Sequence, residues 1–228
     1  MSHVFGPVVA PASDRSASSW VQERFDWHLV SCVGFSEYLR IDHGHRDDEN
    51  SDGSAALVSA IAEVGARHTS TPERAHFGVW EGHGWAGTSV YWAELRPQAP
   101  PSMRVAAAIR RRRLLARDRR RQLADRRRLD QQLALIPSFE LPLRRYHLLT
   151  GPVSAAAGIR SPADGAEPQL PDLWWPDDRA WLVSTDTDLD VTVIAGSDAF
   201  VSALVAALPD LARRWHGRDG HDDEGATA

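Results

Sequence analysis

The sequence predicts an α+β protein: a single domain with a mostly antiparallel sheet of about five to seven strands, flanking helices and one long Arg-rich helical appendage. Three observations lead to this prediction. Residues 171–196 (PDLWWPDDRAWLVSTDTDLDVTVIAG) contain two runs of strand pattern around an acidic break, which is typical of a β-hairpin. Residues 54–64 and 197–208 repeat apolar side chains at helical spacing, and each run begins with a serine suited to cap a helix. Further strand patterns lie at residues 38–43, 76–81, 89–95 and 146–149.

These elements have recognisable boundaries. Gly34 marks the turn before the first strand, and Gly65 is expected to end the first helix. The strands at 76–81 and 89–95 are expected to pair across a glycine-rich turn. A helical turn at 154–158 precedes the Trp-rich hairpin.

Length and composition favour one domain with irregular ends. A chain of 228 residues, 43% of them hydrophobic, can bury one core of moderate size. We expect a disordered tail at 1–19, the α+β domain at 20–215 with a Pro-rich linker and Arg-rich helix inserted at 97–136, and a disordered acidic tail at 216–228. One cysteine, no signal-peptide pattern and no long apolar segment predict a cytoplasmic protein that does not enter a membrane.

Charge is distributed unevenly along the chain. All 26 basic side chains are arginine, which we interpret mainly as codon bias in a GC-rich genome. Residues 104–136 carry twelve arginines against three aspartates, a balance of +9, so the remainder of a chain whose total is −5 carries −14. A basic segment is therefore inserted into an acidic body.

No set of residues has the types and spacing of a catalytic centre or a cofactor site. Gly82, Gly84 and Gly87 match the glycine pattern of dinucleotide-binding proteins, but a β-branched and aromatic stretch follows where a helix would receive the pyrophosphate. A phosphate-binding loop of the Walker type needs a lysine, which the chain lacks. We therefore predict no cofactor and no catalytic residues.

The acidic break in the hairpin has the opening pattern of a calcium loop. Asp186, Asp188 and Asp190 are spaced as in such loops, but Val191 and Ser197 stand where the loop has glycine and glutamate. The alternative is a polar turn whose aspartates accept backbone N–H groups.

A second cluster with metal-binding side chains begins at His43 and His45 and continues into Asp47, Asp48 and Glu49. In so polar a loop, solvated side chains are the alternative. We assign no metal ligands.

The Trp-rich hairpin contains the candidate partner-binding residues. Tryptophans next to charged residues suit a contact surface, whereas core packing is the alternative for the same tryptophans. The candidates are Trp174, Trp175, Asp177, Asp178, Arg179, Trp181, Asp186 and Asp188. For Asp177, Asp178 and Arg179 the simpler interpretation is an ion-pair network that fixes the turn before the strand.

The Arg-rich helix contains the candidate nucleic-acid-binding residues, since guanidinium groups pair bidentately with phosphates. They are Arg110, Arg111, Arg112, Arg113, Arg117, Arg120, Arg121, Arg127 and Arg128. The alternatives are solvated arginines, pairing with the protein's own acidic surface, or binding to an acidic protein.

Four blocks resemble an uncharacterised family of actinobacterial hypothetical proteins: GFSEYLRIDH, TPERAHFGVWEGHGW, LPLRRYHLLTGP and LWWPDDRAWLVSTDTDLDVTVIAGS. The resemblance implies no activity and no site residues. In element order alone, the chain is also similar to small α+β immunity proteins, in which an acidic body neutralises a toxin.

The acidic body and the missing catalytic groups together predict a non-enzymatic protein that interacts with another protein, such as an immunity-type protein. One alternative is a nucleic-acid-associated protein that uses the Arg-rich helix at 104–136. Another is a metal-dependent hydrolase that uses the aspartates of the hairpin or the His43–His45 pair.

Overall fold

The structure is a computed structural model, and it describes residues 4–43, 51–83, 123–162, 168–186 and 188–215. The chain divides into two compact units. One consists of Met1–His83 with Ile136–Ala228, and the other is Gly84–Leu135.

The described strands follow one another along the first unit. They are β1 (Ala10–Pro11), β2 (Phe25–Asp26), β3 (Ser31–Cys32), β4 (Glu37–Asp42), β5 (Ala75–Trp80), β6 (Ser138–Leu141), β7 (Arg144–Gly151), β8 (Leu173–Pro176), β9 (Leu182–Asp186), β10 (Val191–Gly196) and β11 (Arg213–Arg214). The named α-helices are α1 (Ser19–Arg24), α2 (Ser51–Arg67) and α3 (Asp198–Ala207). Short 3₁₀ helices span Ser16–Ser18, Glu81–His83 and Val153–Gly158.

The strands form one large antiparallel sheet, which confirms the α+β class. Its order is β1-β7-β5-β8-β9-β10-β4-β11, and β6 pairs with β7. The described residues thus contribute nine strands, more than the predicted five to seven, and β2 and β3 form a separate two-stranded sheet. The prediction was too low because β1 and β11 are two residues long and have no pattern of their own.

Both faces of the sheet are covered, which explains why β8 is apolar without alternation. On one face Trp174 packs beside Phe77 and Trp181, beneath α2 and α3. On the other face Trp175 joins a cluster that includes Trp20 of α1. Adjacent residues of one strand are therefore buried in opposite directions.

Helix α2, which the sequence predicts over residues 54–64, is longer than predicted at both ends. It begins at Ser51, so Ser54 lies inside it and does not cap it, and it continues past Gly65 to Arg67. Gly65 serves another purpose: a Cβ there would lie 2.8 Å from Cζ2 of Trp181. The glycine permits close packing of the indole, and it does not end the helix.

The last helix agrees with the prediction. Ser197 is its N-cap, and its side chain accepts a hydrogen bond from the N–H of Phe200. Gly196 ends β10 directly before it. The hairpin of β9 and β10 is also confirmed, with Thr192 opposite Thr185.

The N-terminal residues differ from the expected disordered tail. Phe5 and Val9 are buried, and Ala10–Pro11 pairs with β7 as a sheet edge. Tertiary contacts hold this segment, since its sequence has no apolar period. The predicted tail at 216–228, the strand at 89–95 and most of the inserted helix lie outside the described residues.

Candidate functional site

The three tryptophans of the hairpin are core residues. Trp174, Trp175 and Trp181 are each at most 1% exposed. The indole N–H of Trp181 donates to the carbonyl of Gly65 at 3.0 Å. The interpretation of these tryptophans as an exposed contact surface is therefore wrong, because the sheet is covered on both faces.

Asp178 joins the turn after β8 to the loop after α2. Its carboxylate accepts hydrogen bonds from Oγ1 of Thr69 at 2.7 Å and from the backbone N–H of Ser70 at 2.6 Å. Partial burial raises the pKa of this carboxyl, but the hydrogen bonds from Ser70 and Thr69 outweigh burial and lower the pKa overall. Asp178 thus has a structural role.

The neighbouring carboxylate of Asp177 also contacts side chains of the described residues. Its carboxylate lies 3.1 Å from Nε2 of His76 and 3.1 Å from the guanidinium of Arg74. The hydrogen bond from His76 is the largest influence that lowers the pKa of the Asp177 carboxyl. The ion-pair network predicted for this turn exists here, but its cation is Arg74 instead of Arg179.

Arg179 itself points elsewhere. Its backbone has φ +58°, and its guanidinium lies over the ring of Trp20, 5.7 Å from the centroid. Together with Arg24 it lines a cleft of about 460 Å³.

The acidic turn between β9 and β10 is a polar turn, as one of the two interpretations predicted. Oδ1 of Asp186 accepts the backbone N–H of Asp188 at 2.8 Å and that of Leu189 at 3.1 Å. The same oxygen lies 3.0 Å from the guanidinium of Arg144. A calcium loop is not supported, since this carboxylate already has three donors.

Arg144 is the centre of a charge cluster that is buried on one side. Its side chain is 8% exposed and contacts Asp186 at 3.0 Å and Asp188 at 2.7 Å. The guanidinium also lies 4.8 Å from the ring centroid of Trp80 and 5.7 Å from that of Trp27. Because β7 and β9 are far apart in sequence, this cluster fixes the end of one hairpin against the end of another.

Two exposed leucines adjoin this cluster. Leu143 occupies the two-residue turn between β6 and β7 and is 98% exposed, and Leu189 in the turn between β9 and β10 is 59% exposed. Their chain neighbours Arg144 and Asp188 are in contact, so both leucines lie at the same end of the sheet. We call Leu143, Arg144, Asp188 and Leu189 the hairpin-end surface.

The candidate aspartates do not converge on one centre. Asp177 and Asp178 precede β9, whereas Asp186 and Asp188 lie at its other end, about 15 Å away for a five-residue strand. Among the described residues, no group of three or more His, Cys, Asp or Glu is placed to hold a metal ion. The geometry gives no support to a hydrolase that uses these aspartates.

His43 lies beside a cavity. Its Nε2 is 2.8 Å from Oγ1 of Thr192, and both residues line a cavity of about 320 Å³ between α2 and the sheet. His45 lies outside the described residues.

The described part of the Arg-rich segment is helical over residues 123–133. Arg127 and Arg128 are exposed there, and neither pairs with an acidic side chain in the described part of the chain. The candidates Arg110–Arg113, Arg117, Arg120 and Arg121 lie outside the described residues.

Leu143 and Leu189 were missed by the sequence analysis. The signal for Leu143 is Pro142, which favours a turn between two apolar runs and so predicts an exposed leucine. The signal for Leu189 is an apolar residue between two aspartates of a turn.

In the ranges that the structure describes, none of the helices has the length and apolar character needed to cross a membrane. No family model, curated protein or solved structure matches the chain.

Proposed function

We propose that the chain is a non-enzymatic protein-interaction protein and that it contacts its partner through the hairpin-end surface. One observation carries the proposal: Leu143 is 98% exposed while its backbone has φ +71°. A left-handed backbone costs an L-residue about 1–2 kcal/mol. An exposed leucine recovers none of this energy in the free protein, whereas asparagine or glycine would fit the turn at lower cost.

The charges near the leucines indicate the chemistry of the partner. Asp188 is 71% exposed, and Glu140, on the strand before Leu143, is 73% exposed and lies 3.9 Å from Nε of Arg145, which is 56% exposed. Arg144 contacts both Asp186 and Asp188, and Glu140 faces Arg145, so these five side chains together carry a net charge of −1. The complementary partner has an apolar pocket surrounded by basic residues. The charge of −14 outside residues 104–136 also favours a basic partner. A toxin bound by an immunity protein would be one partner of this kind.

The proposal is tested by capture followed by measured binding. The tagged protein is used to capture a stoichiometric partner from native lysate, and that partner is identified, purified and titrated by calorimetry. We expect a basic partner, and we expect Leu143→Asn to weaken binding at least tenfold, as for a residue at the centre of an interface.

Two controls accompany the titration. Leu211→Asn makes the same change at another exposed leucine and should leave the affinity unchanged. Leu143→Asn should keep or raise the free energy of unfolding, because asparagine tolerates a positive φ. Unchanged affinity for Leu143→Asn would refute the proposed surface, and an acidic partner would refute the proposed chemistry.

A second candidate function is nucleic-acid binding through the Arg-rich helix. It is favoured by the exposed arginines at 127 and 128, which lack acidic partners among the described residues. We expect Arg127→Gln with Arg128→Gln to reduce the slope of log affinity against log salt by about 2 for mixed duplex DNA. Retention of DNA that is independent of salt, or an unchanged slope, would exclude this function.

A further inference from the structure

A cavity of about 320 Å³ lies under α2, apart from the hairpin-end surface. Leu57, Val58 and Ile61 line it from the helix, and Trp174 and Val183 line it from the sheet. These side chains form the apolar walls of a partly open cavity on one face of the sheet.

The volume limits the size of an occupant. An apolar cavity of about 150 Å³ holds one benzene molecule. The cavity under α2 has about twice that volume, so it suits a compact molecule of about ten to twelve non-hydrogen atoms.

Three polar side chains in the cavity wall are joined by hydrogen bonds. Nε2 of His43 lies 2.8 Å from Oγ1 of Thr192, which lies 2.8 Å from Oγ1 of Thr185. All three residues line the cavity. Each threonine hydroxyl has one hydrogen to donate and an oxygen that can accept two hydrogen bonds, so more than one arrangement of donors satisfies these distances.

Every arrangement of these hydrogen bonds leaves Thr185 with an unused hydrogen-bonding function. If His43 donates to Thr192, either Thr192 donates to Thr185, which leaves the hydroxyl hydrogen of Thr185 for a ligand, or Thr185 donates to Thr192 and its own oxygen can accept from a ligand. If His43 accepts, Thr185 donates to Thr192 and its own oxygen still accepts. The side chain of Thr185 makes no other hydrogen bond to the described residues.

The wall that carries Thr185 is held in place by the backbone. The N–H of Thr185 donates to the carbonyl of Asp172 at 2.7 Å, and the N–H of Asp172 donates to the carbonyl of Gly78 at 2.9 Å. These bonds fix Asp172, the last of the lining residues 168–172 on one side of the cavity, against the sheet. The site is therefore preorganised, which reduces the entropy lost on binding.

The charges around the cavity favour a neutral occupant. No arginine is among its described lining residues, and the carboxylate of Asp172 accepts the backbone N–H of Trp80. An anion in the cavity would have no arginine to pair with among the described lining residues, and its desolvation would oppose binding.

We propose that this cavity binds a neutral, compact, mostly apolar molecule with a single hydroxyl or carbonyl group, which hydrogen-bonds to Thr185. The inference is independent of the proposed protein partner, because the two sites share no residue.

The probes are 2-naphthol, naphthalene and 2-naphthoate, with binding followed by ligand-observed NMR and calorimetry on the full chain. We expect 2-naphthol to bind, naphthalene to bind more weakly and 2-naphthoate to bind least. Thr185→Val keeps the shape of the side chain and should weaken 2-naphthol about three- to tenfold, the loss of one hydrogen bond, while naphthalene is unaffected.

Leu57→Trp is the second variant, since Leu57 is only partly buried and the larger side chain can fill the cavity from the helix. It should abolish binding of both naphthol and naphthalene while circular dichroism shows a folded protein. The proposal is overturned if 2-naphthol does not bind the wild-type protein, if Leu57→Trp binds it equally well, or if Thr185→Val leaves its affinity unchanged.

Discussion

Gly65→Ala separates helix propensity from tertiary packing, because the two predict opposite signs. Gly65 lies inside α2, where alanine is favoured over glycine by about 1 kcal/mol. Propensity alone therefore predicts a more stable protein. The structure predicts a less stable one, since the added Cβ would lie 2.8 Å from Cζ2 and 3.1 Å from Cε2 of Trp181.

The indole ring cannot move aside easily. Trp181 is fully buried, stacks on Phe200 at 5.6 Å between centroids, and packs edge-on against Trp174 at 5.2 Å. Its N–H is bonded to the carbonyl of Gly65 itself. Overpacking a core by one methyl group costs about 1–3 kcal/mol. We expect the free energy of unfolding of Gly65→Ala to fall by up to about 2 kcal/mol after the gain in propensity of about 1 kcal/mol is included.

The assay is urea denaturation followed by circular dichroism. Ser59→Ala, on the exposed side of α2, is the control and should change the free energy of unfolding by less than about 0.5 kcal/mol. Combining Gly65→Ala with Trp181→Phe, which removes the clashing atoms, should cost less than the sum of the single changes. A Gly65→Ala protein more stable than wild type would refute the packing argument.

Three further results are expected. Arg144→Met should lower the free energy of unfolding by about 3–5 kcal/mol, because Asp186 is left buried without its cation, whereas Asp188→Asn at an exposed position should cost less than about 1 kcal/mol. Equal losses in urea denaturation would contradict this. Burial lowers the pKa of His147 to about 4, below its value of about 6.5 when unfolded, so the unfolded chain binds more protons in this range. The free energy of unfolding should therefore fall as the pH drops from about 6.5 to 4, and His147→Gln should remove most of this pH dependence. If the variant keeps the same pH dependence, groups other than His147 cause it. Burial raises the pKa of Cys32 to about 12, so iodoacetamide at pH 8 should label it only in urea, and rapid labelling of the native protein would show that the thiol is accessible.

The elements that could be predicted from sequence are those with a local cause. The hairpin of β9 and β10 follows from an acidic break between two apolar runs, and α3 follows from Ser197 and a regular apolar spacing. Strands β1 and β11 could not be predicted, because a two-residue strand exists only through its partner. Gly65 was misjudged because the indole that requires a glycine there is more than a hundred residues away.

The candidate site was less predictable than the fold. The unbroken apolar run of β8 favours burial on both faces, and the structure shows it in Trp174 and Trp175. The hairpin-end surface depends on the contact of Arg144 with Asp188, which joins two turns that local sequence cannot relate. Asp188 was a predicted contact residue, and its place beside the two leucines keeps it a candidate.

Hydrogen exchange of the chain with and without its purified partner tests the proposed contact surface most directly. The amides of residues 143–144 and 188–190 lie in or directly beside the two turns of the hairpin-end surface, and we expect the partner to slow their exchange. Protection confined to residues 177–180, at the opposite end of β9, or to residues 104–136 would place the contact elsewhere and contradict the proposal.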